Sequence, residues 1–197
     1  KSILPKGGHA LVTRDDVAAL ADLGEEEGII EKDEETVIHN LLKLREMNVM
    51  EIMTPRVVMK AFALKSTIKE VLEEHKIIRV SRIPVYEDNI DDISGIVIRS
   101  ELLMAASRDE WDVTMNEFRK DVMFLTTDTS VDQALEMFLE HRQQFAVVRD
   151  EFGGTAGLVT MEDVLETLLG EEIVDELDEV DDMRKLARDQ AEHQESE

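Results

Sequence analysis

Two hydrophobic periods take turns along the chain. Between Thr13 and Leu44 apolar residues recur every three or four positions: Val17, Leu20 and Leu23, then Val37, Leu41 and Leu44 with Ile38 and Leu42 beside them. That spacing predicts two amphipathic helices, the second from about Glu31 with Glu34 and Glu35 facing out. Thr13 is a hydroxyl N-cap with Asp16 three residues on, and Gly24 is expected to end the first helix. Two short helices cannot bury both stripes alone, so they are expected to pack on each other and on a second copy of the chain as a small acidic bundle. Residues 1–12, with Pro5, Gly7 and Gly8, read as a linker.

From Val49 the pattern becomes short strands alternating with helices, and it repeats. "RIPVYEDNIDDISGIVIRSELL" (Arg82 to Leu103) lays over "QFAVVRDEFGGTAGLVTMEDVL" (Gln144 to Leu165) with a constant shift, since Gly157 falls on Gly95 and 157 − 95 = 62. Upstream, "STIKEVLEEH" from Ser66 matches "TSVDQALEMFLEH" from Thr129 with a small insertion. Each copy reads as a strand ("VMKAFAL"; "VMFLT"), a capped helix, a strand ("RIPVY"; "FAVVR"), a turn, a strand ("GIVI"; "GLVT") and a closing helix. The fold class is therefore α+β: a helical bundle over 13–48, then two tandem βαββα units over 49–110 and 111–172. Residues 173–197 form an acidic C-terminal segment, where Ile173, Val174, Leu177 and Val180 permit one amphipathic helix.

The glycines of "DEFGGTAGLVTMED" (Asp150 to Asp163) sit between two β-rich runs, where the first copy has "DNIDD". A hairpin turn needing positive φ explains them. A phosphate loop would open directly into a helix, whereas here "GLVT" intervenes and no Walker lysine follows.

Composition narrows the function classes. The chain has 197 residues, a net charge of −24 and no Cys, which excludes disulfides, thiolate metal sites and cysteine nucleophiles. So acidic a chain is a poor partner for nucleic acid, and its charge is either a solvated surface or a collector of divalent cations. No stretch approaches the roughly 18 to 20 apolar residues of a membrane span. The sequence opens at "KSILPKGG" without Met and reads as a fragment of a longer chain.

Two stretches could carry chemistry. Thr160 and Asp163 in "TMED" form a capping box and need no ligand to explain them. A carboxylate at a helix start can also accept both hydrogen bonds of a ribose diol. The first unit has Ile98 and Glu101 at these positions, so only one unit keeps the hydroxyl. The first unit instead offers "VSRIPV", where Ser81 and Arg82 are donors just before an apolar strand containing Pro84. Arg82 either pairs with one of the many carboxylates or serves a ligand. Packing that brought the two stretches together would outline a nucleotide cleft.

The doubled βαββα unit with "GLVTMED" resembles a CBS-domain pair, or Bateman module. More narrowly, "EIMTPRVVM", "SRIPVYEDNIDDISGIV" and "DEFGGTAGLVTMEDVLETLLGEE" are similar to the CNNM/CorC/CorB family of magnesium transport proteins over residues 13 to 177. The resemblance departs from the family at "QQFAVV", where many relatives place a His and a Met. It implies a cytosolic regulatory module that binds ATP with Mg²⁺, forms a homodimer and answers to an upstream membrane domain. By motif match Thr54 would lie at the nucleotide's edge and Val80 and Pro84 near the adenine. Ser81 and Arg82 would face the phosphates, and Thr160 and Asp163 would hold the ribose. Mg²⁺ is expected mainly through the phosphates, because it cancels two of the about four charges ATP brings toward an acidic chain. The competing class is a dimerisation scaffold with a vestigial cleft that senses Mg²⁺ through acidic clusters. An enzyme is disfavoured: His9, His39, His75, His141 and His193 are scattered without a metal-binding pair, and no nucleophile elbow is present.

Overall fold

The computed structural model describes residues 12–171; the linker assigned to 1–12, apart from Val12, and the C-terminal segment 173–197 lie outside the described residues. Helix α1 (Arg14–Glu26) starts at the expected capping box: Asp16 N donates to Thr13 Oγ1 at 3.2 Å and Thr13 N to Asp16 Oδ2 at 2.7 Å. It does not end at Gly24. The helix runs on to Glu26, and Gly28 supplies the positive φ of 70° that follows its end. Gly24 keeps its helical place beside the Ile30 side chain, 3.5 Å from where a Cβ would sit.

Helix α2 (Lys32–Lys43) packs on α1 and on a helix of the second unit. Glu35 does not face out: its side chain is only 13% exposed and meets His39 on the next turn, while Asp22 of α1 meets His39 too. The apolar stripes divide unevenly. Leu44 is 1% exposed and belongs to the second unit's core, whereas Leu20 (64%) and Leu23 (48%) of α1 remain open in the single chain.

The βαββα unit is present twice. The first has β2 (Phe62–Ala63), α4 (Ile68–Glu74), β3 (Arg82–Tyr86), β4 (Ile93–Ile98) and α5 (Arg99–Ala106), preceded by a short α3 (Val49–Ile52) and β1 (Thr54–Pro55). The second has β5 (Met123–Thr126), α6 (Val131–His141), β6 (Phe145–Arg149), β7 (Thr155–Thr160) and α7 (Met161–Leu169). In each, the first strand pairs parallel with the second, and the second antiparallel with the third. Each unit has its own core, built on Ile68, Ile83, Val97 and Leu102 in one and Val131, Phe138, Ala146 and Val159 in the other. A third cluster of Met59, Ile93, Ile96, Phe145 and Val147 welds the two sheets together. Fully burying each such side chain contributes roughly 1.5–3 kcal/mol relative to leaving it exposed.

The chain leading into each unit completes the other. Strand β1, ahead of the first strand β2 of unit one, pairs with β7 of unit two, Thr54 opposite Leu158. Lys120, ahead of the first strand β5 of unit two, bridges Ile96 of β4 in unit one. The glycine that anchored the repeat explains both crossings. A Cβ on Gly157 would lie 2.3 Å from the Thr54 carbonyl oxygen, and one on Gly95 would lie 2.5 Å from that of Lys120. Only glycine lets a neighbouring backbone approach so closely.

The repeat shift is not constant. Val85 faces Gly95 while Val148 faces Gly157, so the strand before the turn is displaced by 148 − 85 = 63 and the strand after it by 157 − 95 = 62. The hairpin turn of unit two is one residue shorter, and Arg82 therefore corresponds to Phe145 and Ser81 to Gln144. No insertion separates the first helices either: α4 begins at Ile68 and α6 at Val131, again 63 apart, and α6 simply runs on for an extra turn. Gly153, with φ of 84°, makes the expected turn, held by Asp150 Oδ1, which accepts from Phe152 N and Gly154 N at 2.9 Å each.

Candidate functional site: the end where two sheets meet

In each unit the second strand begins, and the third strand runs into its closing helix, at the same end of the sheet. Arg82 opens β3 opposite Ile98, the last residue of β4, and Phe145 opens β6 opposite Thr160, the last residue of β7. The two ends are tied across the units. Arg82 Nη2 donates to Gln144 Oε1 at 3.1 Å, and the Gln144 carbonyl accepts from Met161 N, also at 3.1 Å, at the first turn of α7. Arg82 thus pairs with a neutral amide rather than one of the carboxylates, and it stands one residue away from "TMED".

At that helix start Asp163 Oδ2 accepts from Thr160 N at 2.6 Å and from Thr160 Oγ1 at 2.8 Å, while Asp163 N donates back to Thr160 Oγ1 at 3.2 Å. The capping box is formed in full.

The remaining candidates are distributed along the same end. Val80 and Ser81 are exposed in the irregular stretch before β3, with Val80 45% exposed for an apolar side chain, and the Ser81 carbonyl accepts from Arg99 N at 3.0 Å. Pro84 is buried within β3, two residues in from that end. Thr54 is half-buried on β1, adjoining β7 two residues before Thr160. The structure therefore bonds Arg82 to Gln144 and Gln144 to Met161, next to Thr160, keeps Val80 and Ser81 just ahead of Arg82 in the chain, and leaves Pro84 and Thr54 further along the strands. Two open concavities, about 670 and 480 Å³, lie elsewhere, at the junction of the bundle with the end of α7 and between α4 and the first hairpin.

Resolved proton-affinity shifts lie at the caps of Asp16 and Glu70 and at the Lys32–Glu35 ion pair of the bundle. Backbone and hydroxyl hydrogen bonds from Thr13 and Thr67 hold Asp16 and Glu70 below the usual carboxylate range. The hydrogen bond and charge of Glu35 raise Lys32. Among the described residues one cluster has metal-ligand composition: Asp22, Glu35 and His39, with His39 Nε2 2.6 Å from Asp22 Oδ1 and 3.3 Å from Glu35 Oε1. Glu35 is shared with Lys32 at 2.7 Å. A search for His–His pairs overlooks this group, but the Glu-x-x-x-His spacing on α2 is visible in the sequence.

A doubled βαββα unit with interlocked leading strands and a tied inter-unit end defines a CBS-domain pair. A profile of the CBS domain family matches residues 112–170. The solved CBS domain of the bacterial CNNM/CorC family Mg²⁺ transporter superposes with a TM-score of 0.77 at 36% identity, covering 84% of this chain and all of that one. A second structure of such a domain, in complex with ATP, gives a TM-score of 0.66 at 38% identity over 70% of this chain and 98% of that one. The magnesium and cobalt efflux protein CorC of Escherichia coli (strain K12) is 33% identical over 177 residues, 89% of this chain and 60% of that protein. The chain belongs to the CNNM/CorC family, within its CBS-domain part. It spans 50% to 60% of the length of the curated relatives it matches. No helix among the described residues is long and apolar enough to cross a membrane.

Proposed function

We propose that this chain is the cytosolic nucleotide-sensing module of a magnesium transport protein, a binding module rather than a catalyst. In this reading Mg-ATP binds where Arg82, Gln144 and Thr160 meet. Val80 and Pro84 contact the adenine, Ser81 and Arg82 take the phosphates, Thr54 borders the nucleotide, and Thr160 with Asp163 holds the ribose. The observation that supports it best is the Arg82–Gln144–Met161 link, which joins a cationic donor from one unit to the backbone at the helix start of the other, where Thr160 and Asp163 form the cap. The ATP complex of a 38% identical CBS domain supports an adenine nucleotide as the ligand. Two copies pair, and occupancy reaches a membrane domain at the cytoplasmic face through rearrangement of the dimer; the open stripe of Val17, Leu20 and Leu23 suits such a contact. The ligand can shift that equilibrium only by its difference in affinity for the two shapes.

The rival reading, a scaffold that senses Mg²⁺ directly, has the Asp22–Glu35–His39 cluster in its favour. Its imidazole argues against it, since Mg²⁺ prefers an octahedron of oxygens and retains much of its water. Thermal unfolding with ATP, AMP, Mg²⁺ and their combinations separates the two. Nucleotide at about a hundred times its dissociation constant adds roughly 2.7 kcal/mol, several degrees for a domain of this size. The nucleotide reading expects a shift that needs ATP and Mg²⁺ together and vanishes in Arg82→Ala and Asp163→Ala. A shift with Mg²⁺ alone, indifferent to nucleotide, supports the scaffold.

A further inference from the structure

We infer that Arg99, the first residue of α5, is a positioning residue for the nucleotide cleft: its guanidinium and its backbone N–H hold residues 78–81 in the shape that presents Val80 and Ser81 to the ligand. This rests on the proposed nucleotide reading and adds a residue to it. Helix α4 stops at Glu74, whereas its counterpart α6 continues to His141, so unit one reaches β3 through an irregular stretch. A carbonyl in such a stretch has no helical partner and must find a donor.

Arg99 is that donor. Its Nη1 donates to the Ile78 carbonyl at 2.8 Å and to the Arg79 carbonyl, and its backbone N–H donates to the Ser81 carbonyl at 3.0 Å. One residue thus holds three of the four carbonyls from Ile78 to Ser81. The second unit has Met161 at the equivalent place, since 161 − 99 = 62, and there the backbone N–H alone reaches the preceding strand's start at Gln144. Arg99 is half-buried, so its hydrogen bonds are partly shielded from water. Without it, an exposed apolar Val80 would have to be ordered by the ligand itself, and ordering a loop on binding lowers affinity.

The test compares wild type, Arg99→Met and Arg99→Lys, reading the affinities for Mg-ATP and AMP by calorimetry and backbone exchange by hydrogen–deuterium mass spectrometry. Arg99→Met keeps an unbranched side chain at the helix start and copies unit two. Each charged hydrogen bond lost is worth about a tenfold change, so we expect Arg99→Met to weaken ATP at least about tenfold. AMP should weaken by the same factor, because both share the adenine contact. Exchange should rise in residues 76–81 while β6 and β7 stay as protected as in wild type. Arg99→Lys, with a single donor group, should recover part of the affinity. An affinity within about twofold of wild type, or a loss accompanied by deprotection of β6 and β7, overturns the inference. Wild type that binds neither nucleotide sinks the underlying reading, and exchange in 76–81 then still reports whether Arg99 holds the stretch.

Discussion

The two units of this chain share a fold and differ at the one end where a ligand would sit. At the close of unit two Thr160 and Asp163 face a partner stretch containing Arg82, whose bond across the interface goes to a neutral amide. At the close of unit one the counterparts are Ile98 and Glu101. Glu101 Oε1 lies 2.8 Å from Nζ of Lys120, and Phe145 stands where the repeat places Arg82. Lys120 is itself the counterpart of Thr54, since each crosses to the sheet of the other unit. The two ends therefore differ in their residues: one carries Thr160, Asp163 and Arg82, the other Ile98, Phe145 and a Glu101 paired with Lys120. On the proposed nucleotide reading, this asymmetry predicts one ligand per chain.

The largest effect that probes this comparison is on assembly. Gly157→Ala drives a Cβ into the Thr54 carbonyl, and Gly95→Ala drives one into that of Lys120, in both cases against backbone that cannot rotate away. Each should cost roughly 2–4 kcal/mol in denaturant unfolding. Loss of less than about 1 kcal/mol would show that the crossings are looser than described.

Next in size is the contrast between the two carboxylates. Asp163→Ala should abolish the nucleotide-induced rise in melting temperature and also cost about 1 kcal/mol through the lost cap. Glu101→Ala removes only a half-exposed ion pair, worth about 0–1 kcal/mol, and should leave the nucleotide shift intact. Equal loss of binding in both variants would erase the distinction between the clefts.

A smaller effect concerns Gln144. Gln144→Glu turns the Arg82 contact into an ion pair that competes with phosphate, and ATP affinity should fall by about two- to fivefold. Gln144→Ala should leave ATP affinity equal to or above wild type. Titrations showing the reverse order would mean that Gln144 helps the ligand rather than restraining Arg82.

The smallest effect involves acid stability. Glu70 is held below its ordinary range by hydrogen bonds from Thr67, so its cap contributes above the unfolded carboxylate range and fades as pH falls through the folded value. Melting temperatures of wild type and Glu70→Ala should differ at neutral pH, and the gap should begin to close as pH falls below the unfolded glutamate value of about 4.3. A gap that widened on acidification would contradict the sign of that linkage.

Much of this was legible in the residues. Paired glycines, capped helices and alternating strands reveal the duplicated unit, and "VSRIPV" and "TMED" mark both halves of the tied end. The strand register was not legible. Strands β3 and β6 are buried at nearly every position, so their apolar runs lack the alternation that fixes register, and a one-residue deletion in the turn passes unnoticed. The crossings are long-range pairings of very short segments, with only Gly95 and Gly157 to signal them. Gly24 and Gly28 look alike as helix stops until φ separates them. Arg99 was overlooked because its partners are backbone carbonyls, which leave no trace in side-chain patterns.

Calorimetric titration of Mg-ATP into the wild-type chain, Asp163→Ala and Glu101→Ala tests the central claim most directly. The account predicts one nucleotide per chain for wild type and for Glu101→Ala, and none for Asp163→Ala. Two nucleotides per chain in wild type, or binding that survives Asp163→Ala, would contradict it.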